Sequence, residues 1–63
     1  MKKFKHYKGT VYAMISVAEH TETGEKLVIY QNDNEETFAR PYDMFFGEVE
    51  VDGVKIKRFT EIV

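Results

Sequence analysis

A few basic and aromatic side chains in this sequence have the chemistry to hold an anionic group. Histidine, lysine and arginine donate hydrogen bonds to oxyanions, and the planar guanidinium fork of arginine matches a phosphate or a carboxylate. The spacing of these basic residues along the chain is not one that a hydrophobic core requires. A tyrosine near them could add a phenol group to the site. The candidate ligand-binding residues are His6, Lys8, His20, Tyr30, Arg40 and Arg58.

Each of these residues also has a structural interpretation, which the sequence leaves open. Both histidines can cap the turns that follow them instead of contacting a ligand. The two arginines can pair with carboxylates of the same chain. The carboxylates available for such pairing are Glu22, Glu36, Asp43 and the C-terminal group. Rings that could stack beside a ligand are Tyr7, Tyr30, Phe38 and Phe45.

The sequence has no recognised catalytic or metal-binding signature. Ser16 is the only serine, and it lies within a predicted strand, away from the exposed turn and adjacent base that a nucleophile needs. His6, His20 and Glu22 could offer nitrogen and oxygen ligands. However, two histidines fourteen residues apart, without any cysteine, carry little specificity for a metal. We therefore predict a protein that is not an enzyme and that uses no metal or cofactor.

Three large apolar residues in succession indicate a second kind of site. Met44, Phe45 and Phe46 follow a predicted turn, and one turn cannot hide all three in so small a core. An exposed apolar patch on a small domain commonly marks association. We therefore predict a non-catalytic module that binds a small anionic ligand or a short peptide through the candidate ligand-binding residues. The alternative is a protein-interaction or self-associating module, such as a homodimer, centred on these three apolar residues.

The charge distribution argues against general nucleic-acid binding. Four of the nine basic residues lie in the first eight positions, and the remaining 55 residues carry five basic and eleven acidic groups, a balance of −6. An acidic body is unfavourable for contacts with a phosphate backbone. An RNA-binding barrel that uses the basic arm and aromatic stacking is thus the third choice.

Composition also bears on the compartment. The chain has no cysteine, so disulfides and thiolate–metal sites are excluded, and a reducing cytoplasm is the simplest location. No apolar stretch approaches the roughly 20 residues that span a bilayer. We predict a cytoplasmic protein without a membrane segment.

Two predicted strands and the turn between them position the candidate ligand-binding residues His20 and Tyr30. Thr10–Glu19 and Lys26–Gln31 are rich in β-branched and aromatic residues, with apolar groups on both faces, which is typical of strands inside a sheet. Glu22-Thr23-Gly24 between them predicts a three-residue hairpin loop with a bulge at the glycine. This loop would place Val17 near Ile29 and Ser16 near Tyr30.

The C-terminal hairpin is the clearest local prediction. Asp52-Gly53 is typical of a type I′ turn, in which both central residues have positive φ. Counting outward from this turn, the opposed pairs are Val51 with Val54, Glu50 with Lys55, Val49 with Ile56 and Glu48 with Lys57. One face of the hairpin is then apolar and the other carries pairs of opposite charge.

The remaining segments complete an all-β domain. Asn32–Glu35 is a polar turn, Glu36–Arg40 is a short strand, and Pro41 ends that strand and can start a single helical turn through Phe45. We predict one domain, residues 1–63, with residues 1–4 as a basic tail. Its fold class is all-β, a small five-stranded SH3-like barrel with one short helical turn.

Several blocks of the sequence resemble a known family. They are His6–Gly9, Val17–Tyr30, Arg40–Phe46, Val49–Gly53 and Arg58-Phe59. In this combination they are similar to the uncharacterised bacterial and phage family called domain of unknown function sixteen fifty-three (DUF1653). The resemblance extends over residues 4–60. It implies a small β domain and no established activity.

The chain departs from the family pattern at a few positions. Thr21 stands where the family often has serine, and both residues offer a hydroxyl group. Phe38 stands where the family often has tryptophan, so this chain lacks an indole N–H donor there. The loop before that position is shorter than is usual in the family.

Overall fold

The computed structural model describes residues 1–63 and contains seven strands and one helical turn, so the all-β prediction is confirmed. The elements are β1 Lys3–His6, β2 Val11–Glu19, β3 Lys26–Gln31, β4 Thr37–Pro41, α1 Tyr42–Phe45, β5 Glu48–Val51, β6 Val54–Lys57 and β7 Phe59–Ile62. The only helix has four residues and is too short to cross a membrane.

Five of the strands form one antiparallel sheet in the order β4-β3-β2-β1-β7, and β5 and β6 form a separate hairpin. β2 is the central strand, as predicted, although its residues Ile15 and Val17 are exposed. The strands β4 and β7 are free edges of the sheet, so hydrogen bonds do not close it into a barrel. The Cα radius of gyration of 12.2 Å exceeds the value of about 10.6 Å typical of a compact chain of this length, and the molecule is elongated, with extents of 36 × 26 × 19 Å.

The β2–β3 hairpin differs from the prediction by one residue. Ser16 is opposite Ile29 and Val17 is opposite Val28. The loop is one residue longer than predicted, because the His20 N–H donates to the Glu25 carbonyl at 2.8 Å and so closes a four-residue loop. A register shift between Met14 and Ser16 then places Met14 opposite Tyr30, two residues from the predicted pairing. Such bulges bend a strand and increase its twist.

The β5–β6 hairpin has the predicted register at all four pairs. Asp52 has a φ of 51° and Gly53 a φ of 79°, as a type I′ turn requires. Three of its four apolar residues, Val51, Val54 and Ile56, remain exposed, however, because few residues of other elements cover this hairpin. Local turn chemistry therefore determines its register with little help from the core.

Replacing Gly53 with valine is expected to lower the free energy of unfolding by roughly 1–3 kcal/mol, because a β-branched residue is strained at positive φ. A Cβ at this position would meet nothing within 4 Å, so the effect isolates backbone strain. Asparagine tolerates this conformation, so Gly53→Asn is the matched control. Denaturant midpoints that are equal for both variants would show that the turn is not type I′.

The connection from β4 to β5 is the predicted helical turn. Pro41 is the last residue of β4 and precedes α1, where its missing N–H is of no consequence. The Phe46 N–H donates to the Tyr42 carbonyl at 3.1 Å and closes the turn. At Gly47 the chain passes so close to Asp43 that a Cβ would lie 2.6 Å from its carbonyl oxygen.

The two terminal strands, β1 and β7, were not predicted. β1 pairs with both β2 and β7, and Lys3 and Phe4, which were assigned to a basic tail, lie within it. The side chain of Phe4 is buried, while the lysines on either side of it are exposed. This lysine-rich segment therefore forms an inner strand, because the ring of Phe4 packs into the core while the lysines lie on the exposed face.

The core is small and mostly aromatic. Phe45 is fully buried, and its ring stacks on that of Phe59 with centroids 4.0 Å apart. Tyr12 and Met14 of β2 pack against this cluster from the sheet. The five buried residues are Phe4, Val28, Tyr30, Phe45 and Phe59. Large rings compensate for the few residues that so short a chain can bury.

Candidate functional site

Arg40 lies on β4, opposite Val28, and its half-buried side chain shares the inner face of the sheet with the core. Its Nε–H donates a hydrogen bond to the hydroxyl oxygen of Tyr30 at 3.3 Å. Its guanidinium carbon lies 5.9 Å from the centroid of the Phe59 ring, a cation–π distance. These two contacts orient the guanidinium group through neutral partners.

Arg58, between β6 and β7, is held by its main chain and its side chain. Its N–H donates to the Gly47 carbonyl at 3.1 Å, and its carbonyl accepts from the Tyr7 N–H at 2.9 Å. Its Nε–H donates to the Met44 carbonyl at 3.2 Å. Like Arg40, it is therefore anchored through Nε, and neither arginine makes a hydrogen bond through its terminal Nη groups.

His6 is linked to both arginines through Phe59, which follows Arg58 in the chain and whose ring centroid is 5.9 Å from the Arg40 guanidinium carbon. It is opposite Phe59 in the β1–β7 pairing, and the two rings are 4.9 Å apart. Burial is the largest cause that lowers the pKa of His6 below its usual 6.5, and the positive charges of Arg40, Arg58 and Lys8 lower the pKa further. We call His6, Lys8, Arg40 and Arg58 the basic cluster.

Both histidines cap turns through the same ring atom. The Nδ1 of His6 accepts from the Lys8 N–H at 3.1 Å, and the Nδ1 of His20 accepts from the N–H groups of Glu22 and Thr23 at 3.2 and 3.4 Å. A nitrogen that accepts carries no proton, so in the neutral ring Nε2 is the donor. His6 therefore offers an Nε2–H beside the arginines.

His20 does not belong to the basic cluster. The His6 N–H bonds the Thr10 carbonyl just before β2 begins, whereas His20 follows the last residue of that nine-residue strand. The strand separates the two histidines by a distance on the order of 25 Å. The hydrogen bonds of His20 support its role as a turn cap. His20 therefore lies outside the candidate ligand-binding site.

The predicted carboxylate partners of the arginines are not their hydrogen-bond partners. Arg40 bonds a phenol and Arg58 bonds a main-chain carbonyl, and both acceptors are neutral. The positive charges of the basic cluster are therefore not matched by carboxylates in direct hydrogen bonds. The site thus presents unneutralised charge at the edge of the core.

Aromatic rings surround the basic cluster. Tyr12 lies 5.2 Å from Tyr30 and 6.1 Å from Phe38, and Tyr7 lies 4.5 Å from His6. Sequence reasoning missed Tyr12, which the alternation of β2 could have indicated. It also missed Phe59, which reaches the site only through the β1–β7 pairing. Phe45, proposed as a stacking face, is instead part of the core.

The site is an open surface, because neither of the two concave regions of the molecule includes Arg40 or Arg58. A groove of about 210 Å³ shares His6 with the basic cluster, and its lining residues are Lys5, His6, Tyr7, Ile56, Lys57 and Thr60. A second one, of about 360 Å³, is lined by Glu25, Lys26, Pro41, Tyr42 and Asp43.

The predicted interaction patch is only partly exposed. The exposed fraction of the side chain is 48% at Met44 and 41% at Phe46, whereas Phe45 is fully buried. The helical turn directs Phe45 inward and its neighbours outward. Tyr42 lies beside them, with its ring 4.8 Å from that of Phe46. We call Tyr42, Met44 and Phe46 the apolar patch.

The side chains do not form a metal centre. No group of three or more His, Asp or Glu side chains is close enough together to hold a metal ion. The sequence offered His6, His20 and Glu22 as possible metal ligands, but His6 lies too far from His20 for the three side chains to share one ion.

A comparison with protein families completes the description of the site. The family model described as Protein of unknown function (DUF1653) matches residues 2–61. The chain belongs to the DUF1653 family. No curated protein and no solved structure matches this DUF1653 chain. The matched range includes every residue of the basic cluster and of the apolar patch, so both lie within the DUF1653 domain itself.

Proposed function

We propose that this DUF1653 protein is a non-catalytic binding module whose basic cluster holds a small anion or an acidic group of a short peptide. Tyr30 belongs to the site as the phenol that orients Arg40. The observation that carries the proposal is the anchoring of both arginines through Nε to neutral acceptors, which leaves their Nη groups for an oxyanion. A cytoplasmic location and an SH3-like, half-open barrel as the scaffold are part of the same proposal.

The electrostatics of the basic cluster support this function. Positive charges that surround His6 disfavour its protonated form, which is a repulsion that the folded protein retains without a ligand. An anion between the arginines would relieve that repulsion and accept charge-assisted hydrogen bonds. Partial burial beside aromatic rings strengthens such bonds compared with those on a fully solvated surface.

The proposal predicts a pH effect on stability. Because the pKa of His6 is lower in the folded protein, the unfolded chain binds more protons between that value and about 6.5. The stability that neutral His6 contributes is therefore complete above about pH 6.5 and falls as the pH decreases through the folded-state value. Free energies of unfolding measured against pH should show this loss in the wild type and not in His6→Gln.

Anion binding is expected to raise the pKa of His6, because a bound negative charge favours the imidazolium form. Sulfate is the best probe, since it stays doubly charged over the range in which histidine titrates. The pKa follows from the His6 ring signals in NMR spectra with and without sulfate. The double variant Arg40→Gln/Arg58→Gln is the control, and a sulfate effect of the same size in this variant would show that the arginines do not hold the anion.

The apolar patch favours a second candidate function, self-association. Its three half-exposed apolar side chains are adjacent on one helical turn, and covering them would extend a small core. Sedimentation equilibrium should then show an average mass that rises above 7.4 kDa with concentration. Met44→Lys should restore the monomer mass. A wild type that remains at 7.4 kDa at millimolar concentration would eliminate this candidate.

A further inference from the structure

Two exposed aromatic rings flank the basic cluster. The exposed fraction of the side chain is 38% at Phe38 and 37% at Tyr7, whereas most rings of this protein lie in or against the core. Tyr12 and His6 lie between them, with their ring centroids 6.5 Å apart. With Tyr12 6.1 Å from Phe38 and His6 4.5 Å from Tyr7, the four rings form a continuous row. An exposed ring costs solvation free energy unless something covers it.

The charge beside this row restricts what can cover it. Rings alone would suit a cationic ligand, since aromatic faces attract ammonium groups. Here Arg40 and Arg58 lie beside the rings and would repel a cation. A ligand that satisfies both features has a flat neutral ring and a separate oxyanion.

The spacing on β4 favours one class of such ligands. Phe38 and Arg40 are two residues apart on one strand and share its inner face, so their Cα atoms are separated by about 6.6 Å. The base and the 5′-phosphate of a nucleotide are held at a comparable separation by the ribose. We propose, as an extension of the function proposed above, that the site binds a nucleoside phosphate, with the base stacked on Phe38 and the phosphate on Arg40 and Arg58.

The open surface is consistent with this ligand. Stacking requires one exposed face and no enclosed cavity, and neither concave region of the molecule includes the arginines. The acidic body of the chain disfavours a long polyanion but leaves the basic cluster free to hold a single phosphate. A mononucleotide is therefore a better match than an extended nucleic acid.

The test compares ligands that share the phosphate and differ in the ring. Affinities for 5′-AMP, ribose 5-phosphate, phenyl phosphate and inorganic phosphate are measured by NMR titration. Stacking of a base contributes roughly 1–3 kcal/mol, so 5′-AMP should bind about 5- to 150-fold more tightly than ribose 5-phosphate. Phenyl phosphate, whose ring lies closer to its phosphate, should bind more weakly than 5′-AMP. Equal or tighter binding of phenyl phosphate would overturn the nucleoside assignment.

Two variants test whether Phe38 is the ring on which the base stacks. Phe38→Leu should reduce the affinity for 5′-AMP to that for ribose 5-phosphate, whereas Tyr42→Leu, which removes an equally exposed ring on α1, should leave the difference unchanged. In the wild type, nuclear Overhauser effects between the adenine protons and the Phe38 ring provide a direct check that does not depend on a variant's folding. Their absence at saturation would overturn the stacked geometry.

The outcomes separate this proposal from the one on which it rests. If 5′-AMP and ribose 5-phosphate bind equally well through the arginines, the nucleoside phosphate proposal fails and the anion site remains. If no phosphate compound binds at millimolar concentration, both proposals fail.

Discussion

Phe45→Ala is expected to leave most of the chain unfolded at 25 °C. Truncating a buried phenylalanine costs about 3–5 kcal/mol, and a domain of this size has a total stability of only a few kcal/mol. Phe45 is the centre of the core, with ring centroids 5.2 Å from Phe4, 5.3 Å from Tyr30 and 4.0 Å from Phe59. Far-UV circular dichroism and denaturant titration measure the effect.

Phe46→Ala is the matched control, because it removes the same side chain one position along the chain. Phe46 is 41% exposed, so loss of its ring should cost less than loss of Phe45, about 1–2 kcal/mol, and leave the protein folded. Equal midpoints for the two variants would mean that α1 does not direct Phe45 into the core. A greater loss in Phe46→Ala would mean that the two phenylalanines have exchanged roles.

The second large effect concerns anion binding. The double variant Arg40→Gln/Arg58→Gln is expected to abolish the response of the protein to sulfate while it remains folded. At a sulfate concentration about 20-fold above the dissociation constant, specific binding should raise the thermal midpoint of the wild type by on the order of 10 °C. Sulfate also stabilises proteins non-specifically, and the shift seen in the double variant measures that contribution.

The stability of the same double variant distinguishes a binding role from a structural one. Loss of one hydrogen bond to a neutral acceptor and one cation–π contact at Arg40 should cost less than about 2 kcal/mol, and relief of repulsion within the basic cluster opposes that loss. Arg40→Lys keeps the charge but not the fork, so it should weaken sulfate binding. Unfolding of the double variant, together with no sulfate response in the wild type, would support purely structural arginines.

Local chemistry explains which parts of the fold could be predicted from sequence. The Asp52-Gly53 turn determines the β5–β6 register through its own backbone angles, and Pro41 determines where β4 ends and α1 begins. Both signals act within a few residues. The central position of β2 in the sheet was also predicted. However, Ile15 and Val17 of this strand are exposed, so its apolar residues do not all pack against other elements.

Long-range pairing explains most of what could not be predicted. β1 and β7 are four residues long, and each becomes a strand through a partner at the other end of the chain. The β2–β3 register depended on whether His20 and Glu25 pair, and that choice adds one residue to the loop. Closure of the sheet into a barrel depends on contacts among distant elements, which turn residues do not encode.

The candidate site divides in the same way. The residue types were sufficient to propose Arg40 and Arg58 as hydrogen-bond donors to an anion, because few side chains suit an oxyanion. Their convergence around His6 was not predictable, because it depends on the pairing of β1 with β7 and on the folding of α1 over the sheet. The burial of Phe45 similarly depends on which way one helical turn faces.

The most direct test of the anion site is a sulfate titration followed in ¹H–¹⁵N NMR spectra that include the arginine Nε–H signals. Our account predicts saturable shifts of the Nε–H signals of Arg40 and Arg58 and of the Tyr7 amide, all with one dissociation constant on the order of 1 mM. Shifts confined to the amides of Lys2, Lys3 and Lys5, or arginine signals that do not change up to saturating salt, would contradict it.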